Sequence, residues 1–214
     1  MKANSKPLRP DLAIIAGMIP EGARVLDVGC GEGELLEYLA LTKQVDARGI
    51  ELSQPNVNAC VARGLSVVQG DADTDLAEYP SQVFDVVILS QTIQATRSPK
   101  RVLAHLLRIG RRTVVSFPNF GHWRVRVSLL VNGRMPRTVA LGNAWYETPN
   151  IHLCTIDDFV AMAREVGGVT ERAIALSEEG RMRAMRPDAW GPNLFAEGAI
   201  FLLHAEPRGA SESA

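Results

Sequence analysis

The sequence predicts an α/β protein, a mostly parallel β-sheet with helices on both faces. Two observations carry that prediction. Segments of strand length alternate with segments of helical periodicity along most of the chain. The first junction between them, RVLDVGCGEGELLEYL at residues 24–39, passes from an apolar run through three glycines into a helix. Such a turn belongs at the carboxyl edge of a parallel sheet.

Each element has its own signal. Residues 24–28 are an apolar run of strand length. Residues 32–41 follow as a helix, with Leu35, Leu36 and Leu39 on one face and Glu32, Glu34 and Glu37 mostly off it. Residues 45–50 read as a second strand. Ser53 as N-cap and Gly64 as stop bracket a helix through Val57 and Val61. Residues 65–69 and 84–89 are two further buried strands. Ser98 caps, and Pro99 opens, a helix that Gly110 ends; Val102, Leu103, Leu106 and Ile109 form its inward stripe. A strand follows at 113–117. Thr155 and Asp158 make a capping box for a helix through Phe159, Ala163 and Val166 that stops at Gly167. Residues 169–176 and 199–204 close the sheet. Two segments break the rhythm. Residues 121–150 are long, irregular and carry Trp123, Trp145, Tyr146 and two prolines, and residues 177–193 contain RMRAMRP and read as a mobile loop.

A chain of 214 residues suffices for one domain with a full core. The expected organisation is a single domain over 8–205, an inserted loop or lid at about 119–150, and a flexible tail at 206–214. A formal net charge of −1 gives no overall field toward nucleic acid or an acidic membrane, so neither is expected as a partner. Cys30, Cys60 and Cys154 are odd in number, far apart and without metal-ligand spacing. They fit a reducing compartment, and no metal is expected. The early apolar run at 12–19 is too short to span a bilayer. The protein is therefore read as cytoplasmic.

The glycine loop points to a nucleotide-like ligand. A dinucleotide loop requires G-x-G-x-x-G, whereas here Gly29, Gly31 and Gly33 are followed by Glu34. Three glutamates crowd the helix start, where a pyrophosphate would meet repulsion. The G-K-[ST] of a phosphate-binding P-loop is missing too. A neutral or cationic ligand fits better, and S-adenosylmethionine has an adenosine, no phosphate and a sulfonium. In that reading Asp27 and the loop Gly29, Cys30, Gly31 and Gly33 receive its amino-acid end. Glu51, with Leu52 beside it, ends the second strand, 20 residues past Gly31, where a carboxylate can accept both ribose hydroxyls. Asp71 and Ala72, in QGDAD after the third strand, take the adenine edge. Ser90 and Gln91, after the fourth, line the methyl-bearing side. S-adenosylhomocysteine would occupy the same groups.

These stretches, LDVGCGEG, GIELS, VVQGDAD and FDVVILS, resemble the class I S-adenosylmethionine-dependent methyltransferase superfamily. A narrower resemblance follows. ILSQTIQATRSPKRVLAHLLRIGRRTVVSFPNFGHWRVR and WYETPNIHLCTIDDF are similar to the methionine biosynthesis protein MetW family, over roughly residues 8–205. The resemblance implies a Rossmann-like methyltransferase fold with seven strands, the last antiparallel. It also implies a place in methionine biosynthesis and association with homoserine O-acyltransferase (homoserine O-acetyltransferase), whose activity members of the family support.

Methyl transfer needs alignment, and for an oxygen or nitrogen acceptor a base as well. The candidates at the cleft mouth are His122, His152 and Tyr146, with Glu147 beside the last; each has an equally simple structural role. Trp123, Arg124, Arg126, Arg134, Met135, Trp145 and Tyr146 are of the types enriched at protein interfaces, and the same types build lids over clefts. Two functions therefore stand. One is a ligand-binding partner of the acyltransferase. The other is a S-adenosylmethionine-dependent methyltransferase acting on a small molecule.

Overall fold

The computed structural model describes residues 8–137, 144–177 and 181–207. Helix α1 (Pro10–Met18) leads into β1 (Arg24–Val28), and α2 (Glu34–Lys43), β2 (Asp46–Glu51), α3 (Gln54–Ala62) and β3 (Ser66–Gln69) follow. After β4 (Phe84–Ser90), α4 (Pro99–Ile109) and β5 (Gly110–Pro118) come α5 (Trp123–Asn132) and α6 (Ile156–Glu165). The chain then runs through β6 (Gly168–Leu176), β7 (Met182–Ala184), α7 (Trp190–Phe195) and β8 (Gly198–Ala205).

The strands form one sheet in the order β3-β2-β1-β4-β5-β8-β6-β7. Strands β1 to β5 pair in parallel, whereas β8 runs antiparallel to both β5 and β6. The strand order reverses between β1 and β4. Helix connections diverge there and leave a crevice at the carboxyl edge, the usual ligand position in such sheets.

Alternation along each strand builds two cores. In β4, Val87 and Leu89 join Leu103, Leu106 and Phe159 from α4 and α6 on one face. Val86 and Ile88 join Ile15 of α1 and Leu35 and Leu39 of α2 on the other. Under α3, Leu36, Val57, Cys60 and Val67 form a third, smaller cluster. Phe117, Phe159 and Phe201 are all fully buried, with ring centroids 4.6 to 6.0 Å apart, and pin α6 to the β5/β8 pair.

The sheet has eight strands among the described residues, not the seven expected. The additional one is β7, a three-residue edge strand whose residues are all exposed, so no inward–outward alternation marks it. It lies within 177–193, read from sequence as a loop; α7 is also there, and residues 178–180 fall outside the described set. Helix α5 occupies part of the segment expected to be irregular. Only Val125 of its ten residues is buried, so it has no inward stripe to read. Helix α2 starts at Glu34, not Glu32, because Gly33 is left-handed at φ +78°.

Ser53 and Ser98 hold the N-cap positions, but their hydroxyls make no capping bond. Carboxylates instead hold the N-cap residues by their own amides: Glu51 accepts the Ser53 amide at 2.9 Å and Asp73 accepts the Ser98 amide at 2.8 Å. The Thr155–Asp158 capping box forms in both directions. The tail expected from 206 lies outside the described residues from 208 onward. No helix among the described residues is long and apolar enough to cross a membrane.

Candidate functional site

The loop between β1 and α2 is shaped by its glycines in different ways. Gly29, Gly31 and Gly33 all have positive φ, at +73°, +56° and +78°. A Cβ on Gly29 would strike Thr92 Oγ1 at 2.7 Å, and one on Gly33 would strike Leu65 at 2.6 Å. Both are close-packing positions. A Cβ on Gly31 would meet nothing within 4 Å, so this glycine borders open space. The loop backbone is tied down from β2: Gly29 and Cys30 amides donate to the Ile50 carbonyl at 2.8 and 3.3 Å.

Glu51 ends β2 beneath this loop and is 9% exposed. Its Oε2 accepts the Gly31 amide at 2.8 Å, while Oε1 accepts from Ser53 N and, at 3.4 Å, from Asn56 Nδ2. An ionised carboxylate offers about four acceptor positions, so with three taken about one remains for a ligand hydroxyl. Leu52 beside it is 66% exposed, an apolar surface suited to the face of a flat ring.

Asp27, at the end of β1, is 3% exposed, and its Oδ1 has no hydrogen-bond partner. Burial, then the neighbouring Glu51 charge, raises its pKa to about 7. A buried carboxylate with an orphaned oxygen stays ionised most readily when a cation comes to it. Cys30 and Cys60 pack under the same loop, where Cys60 Sγ donates to the Gly31 carbonyl at 3.4 Å. Burial raises both thiol pKa values, so they act as small packing groups and not as nucleophiles.

The side expected to take adenine is more engaged than its sequence suggests. Asp71 accepts the Asp73 amide at 2.9 Å and pairs with Arg97. Arg97 and Ser98 in turn donate their amides to Asp73 at 2.8 Å each. Ala72 packs against the core beside them. An adenine amino group would thus share Asp71 with a guanidinium. Sequence reading did not single out Arg97 or Asp73, and only their position in TRSP and QGDAD was available to find them.

After β4, Ser90 Oγ lies 3.0 Å from Ser116 Oγ, and Gln91 adopts a left-handed φ of +53° with its amide donating to the Ser116 carbonyl. A non-glycine residue in that region is uncommon and often marks a ligand site. Gln94, also missed from sequence, donates Nε2 to the Gln91 carbonyl at 2.8 Å, while its buried Oε1 has no partner. Its carbonyl accepts the Ile151 and His152 amides at 2.9 Å, tying segment 144–153 to this loop.

The candidate bases are spread out. His152 is exposed and its Nε2 lies 3.4 Å from the Arg97 carbonyl. Tyr146 is 67% exposed, edge-on to Trp145. His122 is buried at the head of α5, lining a separate cavity beyond β5. Near it, Asn119 donates to the Asn193 and Ala196 carbonyls at 2.9 and 2.7 Å and accepts from Gly121 and Ile156 amides. Among the described residues, no group of three His, Cys, Asp or Glu side chains is placed to hold a metal.

The crevice thus offers a bare glycine bordering open space, a buried carboxylate oxygen without a partner, and a strand-end glutamate with spare acceptor capacity. Those features fit S-adenosylmethionine. Comparison with known proteins agrees on the scaffold. A S-adenosylmethionine-dependent methyltransferase from Thermotoga maritima superposes with a TM-score of 0.67 at 15% identity, covering 92% of this chain and 88% of that one. One from Mesorhizobium loti gives 0.65 at 15% identity, covering 91% and 97%. At that identity the likeness shows the fold, which is that of class I methyltransferases.

In sequence, the chain is 32% identical over 210 residues to the bifunctional methionine biosynthesis protein MetXA/MetW of Rhodopirellula baltica. That match covers 94% of this chain but 33% of the relative, so the chain spans about a third of its length. The sequence profile described as methionine biosynthesis protein MetW matches residues 9–203. The chain belongs to the MetW family.

Proposed function

We propose that this protein binds S-adenosylmethionine or S-adenosylhomocysteine in the β1/β2/β4 crevice and serves methionine biosynthesis as a cytoplasmic partner of a homoserine O-acyltransferase. Residues 8–205 act as one unit in this reading. The observation that carries it is the Rhodopirellula relative, where a MetW-like third shares one polypeptide with a second unit named MetXA. Fusion keeps two units at high effective concentration, which matters when they work together.

The proposed binding roles follow the geometry. Asp27 faces the ligand's ammonium group, and the Gly31 backbone gives room for its amino-acid end. Glu51 takes a ribose hydroxyl, Leu52 the adenine face, and Asp71 with Ala72 the adenine edge. Ser90 and Gln91 border the sulfonium side. Such a site needs no acid or base of its own to hold the ligand.

A docking face is supported by α5, which leaves Val127, Leu130 and Val131 exposed on neighbouring turns, Leu130 at 86%. Trp145 and Tyr146 add two exposed aromatic rings. Arg126 is less available than its sequence suggests, because its Nε donates to the Gly121 carbonyl at 2.6 Å. Helix faces of this kind, apolar and open, mark association surfaces.

The alternative is a methyltransferase acting on a small molecule, favoured by the fold alone. Co-purification with the acyltransferase and an acylation assay with and without this protein separate the two. Complex formation with increased acyl transfer supports the partner reading. Equal acyltransferase activity without any association, together with methyl transfer to a metabolite, would favour the alternative.

A further inference from the structure

A cavity lies apart from the residues of the nucleoside crevice. It has a volume of about 900 Å³ and lies beyond the carboxyl ends of β5 and β6, between the head of α5, β7 and α7. That size falls at the upper end of the range of about 300–1,000 Å³ usual for small-molecule pockets.

Its lining has two kinds of residue. Trp123, Met182, Trp190 and Phe195 provide an apolar wall and are 42%, 60%, 73% and 61% exposed, so their surfaces remain uncovered. Trp190 and Phe195 face one another with ring centroids 6.3 Å apart. The described lining residues include four arginines, Arg124, Arg181, Arg183 and Arg186, and one carboxylate, Glu197. Arg183 and Arg186 make no ion pair among the described residues. A hollow with aromatic walls and the guanidinium groups of Arg183 and Arg186 at its border matches a ligand that is apolar at one end and anionic at the other.

This cavity is separate from the nucleoside crevice. Going across the sheet from β1, β5 is two strands away and β6 four. At about 4.8 Å per strand, that sets the borders of the cavity about 10–19 Å across the sheet from β1. Asn119 and Asn193, buried and bonded together, stand at the base of β5 and α7 beside it.

We propose that this cavity is a second ligand site, for an amphipathic oxyanion whose apolar body lies against Trp123, Trp190 and Phe195 and whose carboxylate or phosphate pairs with Arg183 and Arg186. Guanidinium groups pair with either head group in a planar, two-bond geometry. The site is independent of the nucleoside reading, because no residue of the glycine loop borders it.

Two of the three tryptophans line the cavity, which gives a direct reporter. In the Trp145→Phe protein, fluorescence is followed on titration with octanoate, octyl phosphate, 1-octanol and octylamine. Saturable changes with one or both anions, at least tenfold weaker response to octanol and none to octylamine are expected. The comparison of octanoate with octyl phosphate identifies the head group. In the Arg183→Gln/Arg186→Gln double variant, the preference for anion over alcohol disappears while the circular dichroism spectrum stays unchanged. Saturating S-adenosylmethionine leaves the anion titration unaltered. Equal binding of anion and alcohol, no saturable response, or displacement by S-adenosylmethionine would each overturn the proposal.

Discussion

Gly31 and Glu51, 20 residues apart in the chain, are joined by a 2.8 Å hydrogen bond from the backbone amide to the carboxylate. The acid at the end of β2 therefore shapes the glycine loop as well as facing the crevice. Glu51→Ala removes the acceptor of both the Gly31 and Ser53 amides, at a cost of about 1–3 kcal/mol in stability. Affinity for S-adenosylmethionine falls at least a hundredfold. Glu51→Gln keeps one acceptor oxygen and recovers part of the stability but little of the affinity. Thermal melts and calorimetry on the two variants check this; unchanged affinity in the alanine variant contradicts the ribose assignment.

Asp27 makes stability depend on pH and, in its proposed role, ligand binding as well. Its folded pKa, raised to about 7 by burial and the Glu51 charge, lies above that of an unfolded carboxyl group. The folded state therefore holds the proton more tightly, and the ligand-free protein loses stability as pH rises from about 4 to about 7. A ligand ammonium group requires the ionised form. Affinity should thus weaken below pH 7 by up to about tenfold per unit. Asp27→Asn flattens both profiles. Calorimetric affinities at pH 5.5, 6.5 and 8 that do not differ would rule out this role.

Asp71 already pairs with Arg97, so the role proposed for it at the adenine edge has a distinct signature. Adenosine carries an amino group there, whereas inosine carries a carbonyl. The wild-type protein is expected to bind S-adenosylhomocysteine at least tenfold more tightly than S-inosylhomocysteine. Asp71→Ala narrows that preference. An equal preference in both proteins assigns Asp71 to structure alone.

The Asn119 knot joins three segments distant in sequence. Its side chain serves two carbonyls and two amides while being 2% exposed. Asn119→Ala removes the partner of the Asn193 and Ala196 carbonyls and the Gly121 amide, while the Ile156 amide keeps Asn193 Oδ1, and costs about 2–4 kcal/mol. Asn193→Ala acts on the same network, since Asn193 Oδ1 accepts the Ile156 amide at 3.1 Å. The double variant is therefore more destabilised than the sum of the two, since it alone removes both acceptors of the Ile156 amide. Denaturant melts of the four proteins measure the coupling; strict additivity would show that the two asparagines act apart.

Phe159→Ala tests the core directly. Removing a fully buried ring that touches Phe117 and Phe201 costs about 3–5 kcal/mol. Urea unfolding gives the figure, and a loss below 1 kcal/mol would mean that α6 is not anchored through this contact.

Most of the parallel half was legible because its signals are local. Strands β1 and β4, covered on two faces, read as apolar runs, and the glycines of the β1–α2 turn announce it; β3, expected to be buried, is an edge strand in which only Val67 is buried. The C-terminal half was less so. Helix α5 turns Val127, Leu130 and Val131 outward, and β7 buries none of its three residues, so periodicity has nothing to report. In the crevice, Asp27, Glu51 and Asp71 could be placed at strand ends because parallel strands end at one edge. Arg97, Asp73 and Gln94 could not, since their positions depend on how the loops after β3 and β4 fold onto each other.

Calorimetry of S-adenosylmethionine with the pure protein, alone and with the homoserine O-acyltransferase, tests the central claim most directly. Saturable binding of one equivalent, lost in Glu51→Ala and altered by the acyltransferase, is the result expected. No binding heat with the folded protein at several temperatures, and no protection of the glycine loop from hydrogen exchange, would contradict it.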